Sequence, residues 1–252
     1  MDDYIIGTPD IQAGSWELQM QPDNCAVVAE MSLINQFGYG LNQEQACYIS
    51  SSHGWYQPGA GTSPTDIGNM MDMYDIPNHS VQNATLDDLA KELQAGHGVI
   101  VGLDSDQLWD QGPLNDLKIA LCKGLGLDSS QFMPADHAVV VTGIDASDPN
   151  NPMVILNDSG TPDGQAIHYP LDKFMDAWEN SDFSYTATDI PLPDGSFMGS
   201  LQSVDFAPWI SARAGIGAFA ATGDPSLAMT VAEGAYELVD FLFNDSDMMR
   251  TV

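Results

Sequence analysis

Residues 136–144 read Asp136-His137-Ala-Val-Val-Val-Thr-Gly-Ile144, an apolar run with two titratable side chains at its start. Similar short runs, rich in Val and Ile, occur at residues 98–103 and 153–156, and turn residues bound each of them. This pattern is typical of β-strands. Residues 166–169 and 183–188 continue the series. The second half of the chain is therefore predicted to form an antiparallel sheet.

The first half of the chain has a helical period instead. From Cys25 to Phe37, apolar residues recur at helical spacing, and Asp23 and Asn24 precede them as N-cap candidates. Helices preceding antiparallel strands indicate an α+β fold, with an N-terminal helical half packed on the sheet. The other predicted helices cover residues 42–51, 64–74, 86–95, 114–122 and 171–180.

The chain divides at a segment rich in proline and glycine. Residues 1–190 form the predicted main domain, and residues 191–199 have the composition of a linker. Residues 200–252 carry two further apolar helical patterns and form a predicted helical C-terminal extension. Two helices alone bury little surface. We expect the extension to pack on the main domain or to form a homo-oligomer with a second copy.

The charge of the chain excludes several classes of partner. With 36 acidic residues against 6 Lys and Arg, the formal net charge is −30. A nucleic-acid interface needs clustered basic residues, so nucleic acid is not an expected partner. A membrane is not expected either, because no apolar run reaches the roughly 20 residues that span a bilayer. The first residues show no secretory signal pattern. The compartment stays open, with the cytoplasm favoured over secretion.

The chain has three cysteines, Cys25, Cys47 and Cys122, too few for a disulfide scaffold. Cys25 is predicted to begin a helix, where the helix dipole and free N–H groups favour a thiolate. Cys47 and Cys122 lie on apolar helix patterns and are expected in the core. Gln19 lies six residues before Cys25, and its amide could form an oxyanion hole with the Cys25 N–H. Gln21 is a competing candidate, closer in sequence.

A histidine and an aspartate follow at the ends of two predicted strands. His137 starts one strand and is a candidate general base for the thiol. Asp158 closes the next strand, and neighbouring antiparallel strands would bring the two side chains together. A carboxylate on the far ring nitrogen would fix the imidazole tautomer. The alternative for Asp158 is an Asx turn ahead of residues 159–160.

Three motifs together resemble the papain-like cysteine peptidases, most closely the family-39 type that processes bacteriocin leaders, and its stand-alone relatives. They are residues 19–30, 136–143 and 155–160, and the resemblance covers roughly residues 14–190. It implies that Cys25 is the nucleophile, His137 the base, Asp158 the residue that orients it and Gln19 the oxyanion donor. Ala26 stands where family members usually have glycine. The chain lacks a phosphate-binding loop and resembles a stand-alone form.

The resemblance implies a cysteine hydrolase that cleaves a peptide or amide bond through an acyl-enzyme, with a peptide or protein substrate. Two alternatives remain: a catalytically silent binding module, and an amide transferase or deamidase with the same triad. No cofactor or metal is expected, because the remaining histidines lack metal-ligand spacing. The glycine-rich stretch at residues 54–63 is either a substrate-facing wall or a connection.

Overall fold

The computed structural model describes residues 4–109 and 135–193. The helix expected at residues 114–122 and the extension expected at residues 200–252 lie outside the described residues, as does most of the expected linker. Among the residues described, no helix combines the length and the apolar character needed to cross a bilayer.

A seven-stranded sheet organises the described part of the chain. Its order is β4-β9-β5-β6-β7-β8, with β1 paired on β6, and every pairing is antiparallel. A separate hairpin is formed by β2 and β3. The strands are β1 Ile5–Gly7, β2 Tyr56–Gln57, β3 Gly61–Thr62, β4 Asn78–Val81, β5 Val99–Leu103, β6 His137–Asp145, β7 Met153–Asn157, β8 Ile167–Pro170 and β9 Tyr185–Thr188.

Strand β6 is the central strand of this sheet. It pairs with β5, β7 and β1, and all of it except Asp145 is buried. His137 is its first residue and pairs with Leu103, the last residue of β5. Strand β7 runs antiparallel beside it and ends at Asn157. The start of β6 and the end of β7 therefore meet at one edge of the sheet.

Most of the helices precede the long strands, so the predicted α+β fold is confirmed. The helices are α1 Pro9–Gln12, α2 Cys25–Gln36, α3 Gln43–Ser52, α4 Asn69–Met73, α5 Leu86–Gln94, α6 Ser105–Trp109 and α7 Leu171–Glu179. Nine consecutive residues of α2, from Ala26 to Ile34, are buried, and seven of them are apolar, as expected for a core helix. Helix α2 packs against both α3 and β6. It places its first residue beside the start of β6.

The predicted starts of α2, α5 and α7 match the structure, and α3 starts one residue later than predicted. Asn42 caps α3 and Thr85 caps α5, each with a reciprocal capping box. The single helix predicted over residues 64–74 is wrong, because a 3-10 turn at Pro64–Asp66 and α4 are separate. Gly68 lies between them with a φ of 105°, a left-handed conformation that interrupts the helix.

Candidate active site

Cys25 is the first residue of α2, as predicted. Its neighbour Asn24 lies at the N-cap position but makes no side-chain cap hydrogen bond, which corrects the expected capping role. Its Oδ1 accepts instead from the Gln21 N–H at 3.2 Å. Asp23, the other cap candidate, accepts hydrogen bonds from the Tyr56 hydroxyl and from a loop N–H. The first N–H groups of α2 therefore have no side-chain cap, beside the half-buried thiol of Cys25.

His137 and Asp158 form a buried hydrogen-bonded pair. The distance between His137 Nε2 and Asp158 Oδ1 is 2.7 Å, and the Asp158 side chain is inaccessible to solvent. The Cys25 thiol is close enough to the same imidazole to raise its pKa. Asp158 occupies Nε2, so Nδ1 is the ring nitrogen that is left for the thiol. The structure thus brings Cys25, His137 and Asp158 together as the sequence predicts.

The Asx-turn alternative for Asp158 is also realised. Its Oδ1 accepts from the Gly160 N–H at 2.9 Å in addition to the His137 ring. The turn places Gly160 against the pair, and a Cβ there would lie 2.9 Å from His137 Cε1. Only glycine fits this position without displacing the imidazole. The Asp158 carboxylate therefore both stabilises the turn and orients the imidazole.

The electrostatics of the pair keep a proton on the imidazole. Burial acts to lower the pKa of His137, but the hydrogen bonds and negative charges of Asp158 and Cys25 outweigh it and raise the pKa to about 10. Burial acts to raise the pKa of Asp158, whereas the hydrogen bond and charge of His137 bring it below its ordinary value.

Gln19 is fixed next to Asp158 by hydrogen bonds to Ser159. The Gln19 N–H donates to the Ser159 carbonyl at 2.8 Å, and Gln19 Oε1 accepts from Ser159 Oγ at 3.1 Å. Gln19 Nε2 donates to the Gln21 carbonyl at 2.9 Å, which leaves its second hydrogen for another acceptor. Gln21 has an exposed side chain. Neither glutamine lines the cavity beside Cys25, so the oxyanion role stays a prediction.

A cavity of about 480 Å³ adjoins both Cys25 and His137. One wall comes from residues 60–67, which includes the end of the glycine-rich stretch predicted as a substrate-facing wall. The facing wall comes from the ends of β4, β5 and β9. Most of the lining side chains are small. Residues 60–62, at the C-terminal end of the glycine-rich stretch 54–63, line this cavity, as the wall interpretation expects.

Two tryptophans donate hydrogen bonds to Asp158, and no feature of the sequence predicted either of them. Trp109, the last residue of α6, donates from Nε1 to Asp158 Oδ2 at 2.8 Å. Its ring centroid lies 5.1 Å from that of His137. Trp16 donates from Nε1 to the Asp158 carbonyl at 2.7 Å. No local sequence pattern indicates these contacts, because they join residues 49 and 142 positions apart.

Two of the other histidines bond acidic side chains outside this site. His79 bonds Asp189 at 2.6 Å, and His97 bonds Glu92 at 2.5 Å. Across residues 4–109 and 135–193, no group of His, Cys, Asp or Glu has the arrangement of a metal site. Cys47 Sγ lies 3.4 Å from an amide nitrogen at the start of α2. Cys122 lies outside the described residues.

A sequence profile described as the Peptidase_C39 like family matches residues 11–186. The chain belongs to this family. The resemblance inferred from the three motifs is therefore confirmed, and the family description supports a cysteine peptidase at the family level. The match covers α2, the central strand and the Asp158 turn, so all four predicted site residues lie within it.

Uncharacterized proteins of Mycobacterium bovis and Mycobacterium tuberculosis are among the relatives of this Peptidase_C39 like chain. Each is 34% identical to it over 211 residues, an alignment that covers 73% of this chain and 84% of the relative. Among solved structures, a candidate C39-like peptidase from Bacillus anthracis matches with a TM-score of 0.47 and 14% identity. That match covers 70% of this chain and 94% of the other.

Proposed function

We propose that this chain is a cysteine hydrolase that cleaves a peptide or amide bond through a thioester at Cys25. The observation that carries the proposal is the buried His137–Asp158 hydrogen bond, with the Cys25 thiol on the other side of the ring and a cavity beside it. This arrangement supplies a nucleophile, a base and a group that orients the base. Family membership supports the same chemistry.

The chemistry divides into acylation and deacylation. In acylation, Cys25 Sγ attacks the substrate carbonyl, the carbon–nitrogen bond breaks, and the proton on His137 Nδ1 passes to the leaving amine. In deacylation, His137 takes a proton from water, the oxygen attacks the thioester, and the carbon–sulfur bond breaks to release the Cys25 thiolate beside the protonated imidazole. Asp158 keeps the ring oriented through both steps. The uncapped Cys25 N–H and the Gln19 amide are the proposed donors to the oxyanion.

The charge state of the pair explains why a silent binding module is the weaker interpretation. Burying an ionised carboxylate and an imidazolium costs free energy unless each is paired and hydrogen-bonded. Here the paired His137 imidazolium is also a proton donor close to the thiol of Cys25, which lines the cavity. A module that only binds a peptide does not require a thiol, an imidazole and a carboxylate in one place. The proposed substrate is therefore a peptide or protein that is chemically altered.

The test is selective alkylation followed by cleavage assays. Iodoacetamide at neutral pH should label Cys25 at least about tenfold faster than Cys47, because only Cys25 faces the imidazolium. Cys25→Ala should abolish cleavage of a proteome-derived peptide library, whereas the matched variant Cys47→Ala should retain it. Product masses separate the chemistries. Hydrolysis of a peptide bond gives two fragments that together contain one added water, whereas deamidation leaves the chain intact, releases ammonia and converts an amide to a carboxyl group. Equal labelling of both cysteines, with cleavage surviving in Cys25→Ala, would refute the proposal.

A further inference from the structure

Gln43 is the first residue of α3, and its buried side-chain amide bonds the backbone on both sides of Gln19. Gln43 Nε2 donates to the Leu18 carbonyl at 2.8 Å. Gln43 Oε1 accepts from the Met20 N–H at 2.9 Å. A neighbouring β-strand would bond the same carbonyl of Leu18 and N–H of Met20, so the Gln43 amide takes the place of a strand here. The sequence alone gives no reason to connect Gln43 with Gln19.

The other two hydrogen bonds of Gln43 also go to the segment before α2. Nε2 donates to Glu17 Oε2 at 3.0 Å, and Oε1 accepts from Asn24 Nδ2 at 3.4 Å. A primary amide has two donors and two acceptor sites, so the hydrogen-bonding capacity of Gln43 is fully used here. Its relative exposure is 5%, and a buried polar group with all its bonds made holds its partners in one arrangement.

Ser159 contacts the opposite edge of the same segment. Leu18 and Met20 direct main-chain groups at Gln43, whereas Gln19 directs its N–H at the Ser159 carbonyl. This alternation is that of an extended strand. Ser159 Oγ also orients the Gln19 amide by donating to Oε1. The segment is thus fixed between α3 and the residue that follows Asp158.

We propose that Gln43 is a positioning residue that holds Gln19 in place as the oxyanion donor. The inference rests on the proposed function, because it concerns the same site. Loss of the Gln43 amide removes the partners of the Leu18 carbonyl and the Met20 N–H, and the segment relaxes toward solvent. An oxyanion donor acts only when it lies within hydrogen-bond distance of the developing charge, so a shift of about 1 Å removes much of its effect.

The experiment compares Gln43→Met with Gln45→Met in the full chain. Gln45 lies in the same helical turn, and its side chain bonds the Asn42 N–H without contacting residues 17–21. Three quantities are measured: kcat and KM for acetylglycine p-nitrophenyl ester, the affinity for acetyl-alanyl-glycinal, and the rate at which iodoacetamide alkylates Cys25. The aldehyde forms a tetrahedral adduct with an oxyanion, whereas alkylation at the CH₂ group forms none.

Gln43→Met should lower kcat about tenfold and weaken aldehyde binding by a similar factor, with KM and the alkylation rate changed less than about twofold. Gln45→Met should leave all these values near wild type after correction for the folded fraction. Gln43→Asn keeps a primary amide but is one methylene shorter, so it should weaken the bonds to Leu18 and Met20 and give a partial loss. It provides the same test if Gln43→Met does not fold.

A double-mutant cycle with Gln19→Ala decides between positioning and general stability. If Gln43 acts through Gln19, Gln43→Met should have no further effect on kcat in the Gln19→Ala background. Equal losses in both backgrounds would overturn the inference. Failure of the proposed function would look different, because wild-type protein would then bind no aldehyde, and Cys25→Ala would hydrolyse the ester as fast as wild type. That result would also overturn the inference.

Discussion

The indole N–H of Trp109 donates to Asp158 Oδ2 at 2.8 Å, while His137 bonds the other carboxylate oxygen at 2.7 Å. The two rings lie 5.1 Å apart and are tilted by 59°, so the indole covers one side of the imidazole. A buried carboxylate is stabilised when both of its oxygens accept hydrogen bonds. The bond from Trp109 adds to the larger effect of His137 in lowering the pKa of Asp158, and it fixes the orientation of the carboxylate.

Trp109→Phe should lower kcat/KM about tenfold while the fold is retained, because outer hydrogen bonds to an orienting carboxylate commonly contribute factors of that size. Phenylalanine fills most of the volume and removes only the N–H donor. The measurement is kcat/KM as a function of pH together with a thermal melt. Trp55→Phe is the matched control, since Trp55 stacks on His53 away from the cavity. Equal activity in wild type and Trp109→Phe would show that the indole bond does not contribute.

Asp158→Asn should change how the free energy of unfolding depends on pH. The folded-state pKa of His137, about 10, lies above its ordinary value of 6.5. The resulting stabilisation is fully present below pH 6.5 and is lost as pH rises through 10. Asparagine removes the negative charge that contributes to this shift, so the decline should be smaller in the variant.

Urea unfolding at pH values from 6 to about 10 measures this dependence in both proteins. The Cys25→Ala background keeps thiol ionisation out of the comparison. Asp189→Asn serves as the control for loss of a histidine's carboxylate partner elsewhere, because Asp189 bonds His79 and not the triad. Parallel pH dependences for wild type and Asp158→Asn would contradict the assignment of the shift to Asp158.

The three triad positions could be predicted because each has a local signal. Cys25 begins an apolar helical period, His137 begins a β-branched run, and Asp158 ends the next one. Short-range patterns of this kind report where an element starts and stops. Two antiparallel neighbours then bring the start of one strand beside the end of the other. The closeness of His137 and Asp158 therefore follows from element boundaries, whereas the approach of Cys25 depends on the packing of α2 on β6.

The contacts that support the triad could not be predicted, because they depend on packing between distant segments. Gln43 and Trp109 carry no pattern that links them to Gln19 or Asp158. Residues 64–74 look helical in sequence, but the left-handed Gly68 packs against Asn78, and a Cβ at Gly68 would lie 2.3 Å from Asn78 Oδ1. Tertiary approach of this kind overrides helical propensity. A single sequence does not encode it locally.

Glu30→Gln should make the protein less sensitive to pH between about 4.5 and 7. Glu30 lies in the middle of α2, nearly inaccessible to solvent, and its Oε2 accepts from the Gly68 and Met70 N–H groups at 3.0 and 3.1 Å. Burial raises the pKa of Glu30 to about 7 despite these bonds. Glu30 thus adds to the free energy of unfolding at low pH, and this contribution is lost as pH rises through 7.

A shift of this size corresponds to a change on the order of 3 kcal/mol in the free energy of unfolding. The difference between wild type and Glu30→Gln, measured by urea unfolding at several pH values, should therefore move in favour of the variant as pH rises. Glu44→Gln on the exposed side of α3 is the matched control. A difference that is constant from pH 4.5 to 8 would contradict a raised pKa at Glu30.

Added salt should raise the melting temperature of the full chain. With 36 acidic and 6 basic side chains, most carboxylates have no cationic partner, and their mutual repulsion is greatest in the compact state. Salt screens such repulsion within a Debye length, which is about 10 Å at 0.1 M and about 3 Å at 1 M.

The ionic-strength range of the effect distinguishes charge screening from other actions of salt. Screening should give most of its stabilisation below about 0.3 M KCl, whereas surface exclusion of salts strengthens burial only at higher concentration. Thermal melts at closely spaced KCl concentrations, repeated with NaCl to remove ion-specific effects, provide the measurement. A melting temperature that is flat up to 0.3 M and rises only near 1 M would show that charge repulsion does not limit the stability of this protein.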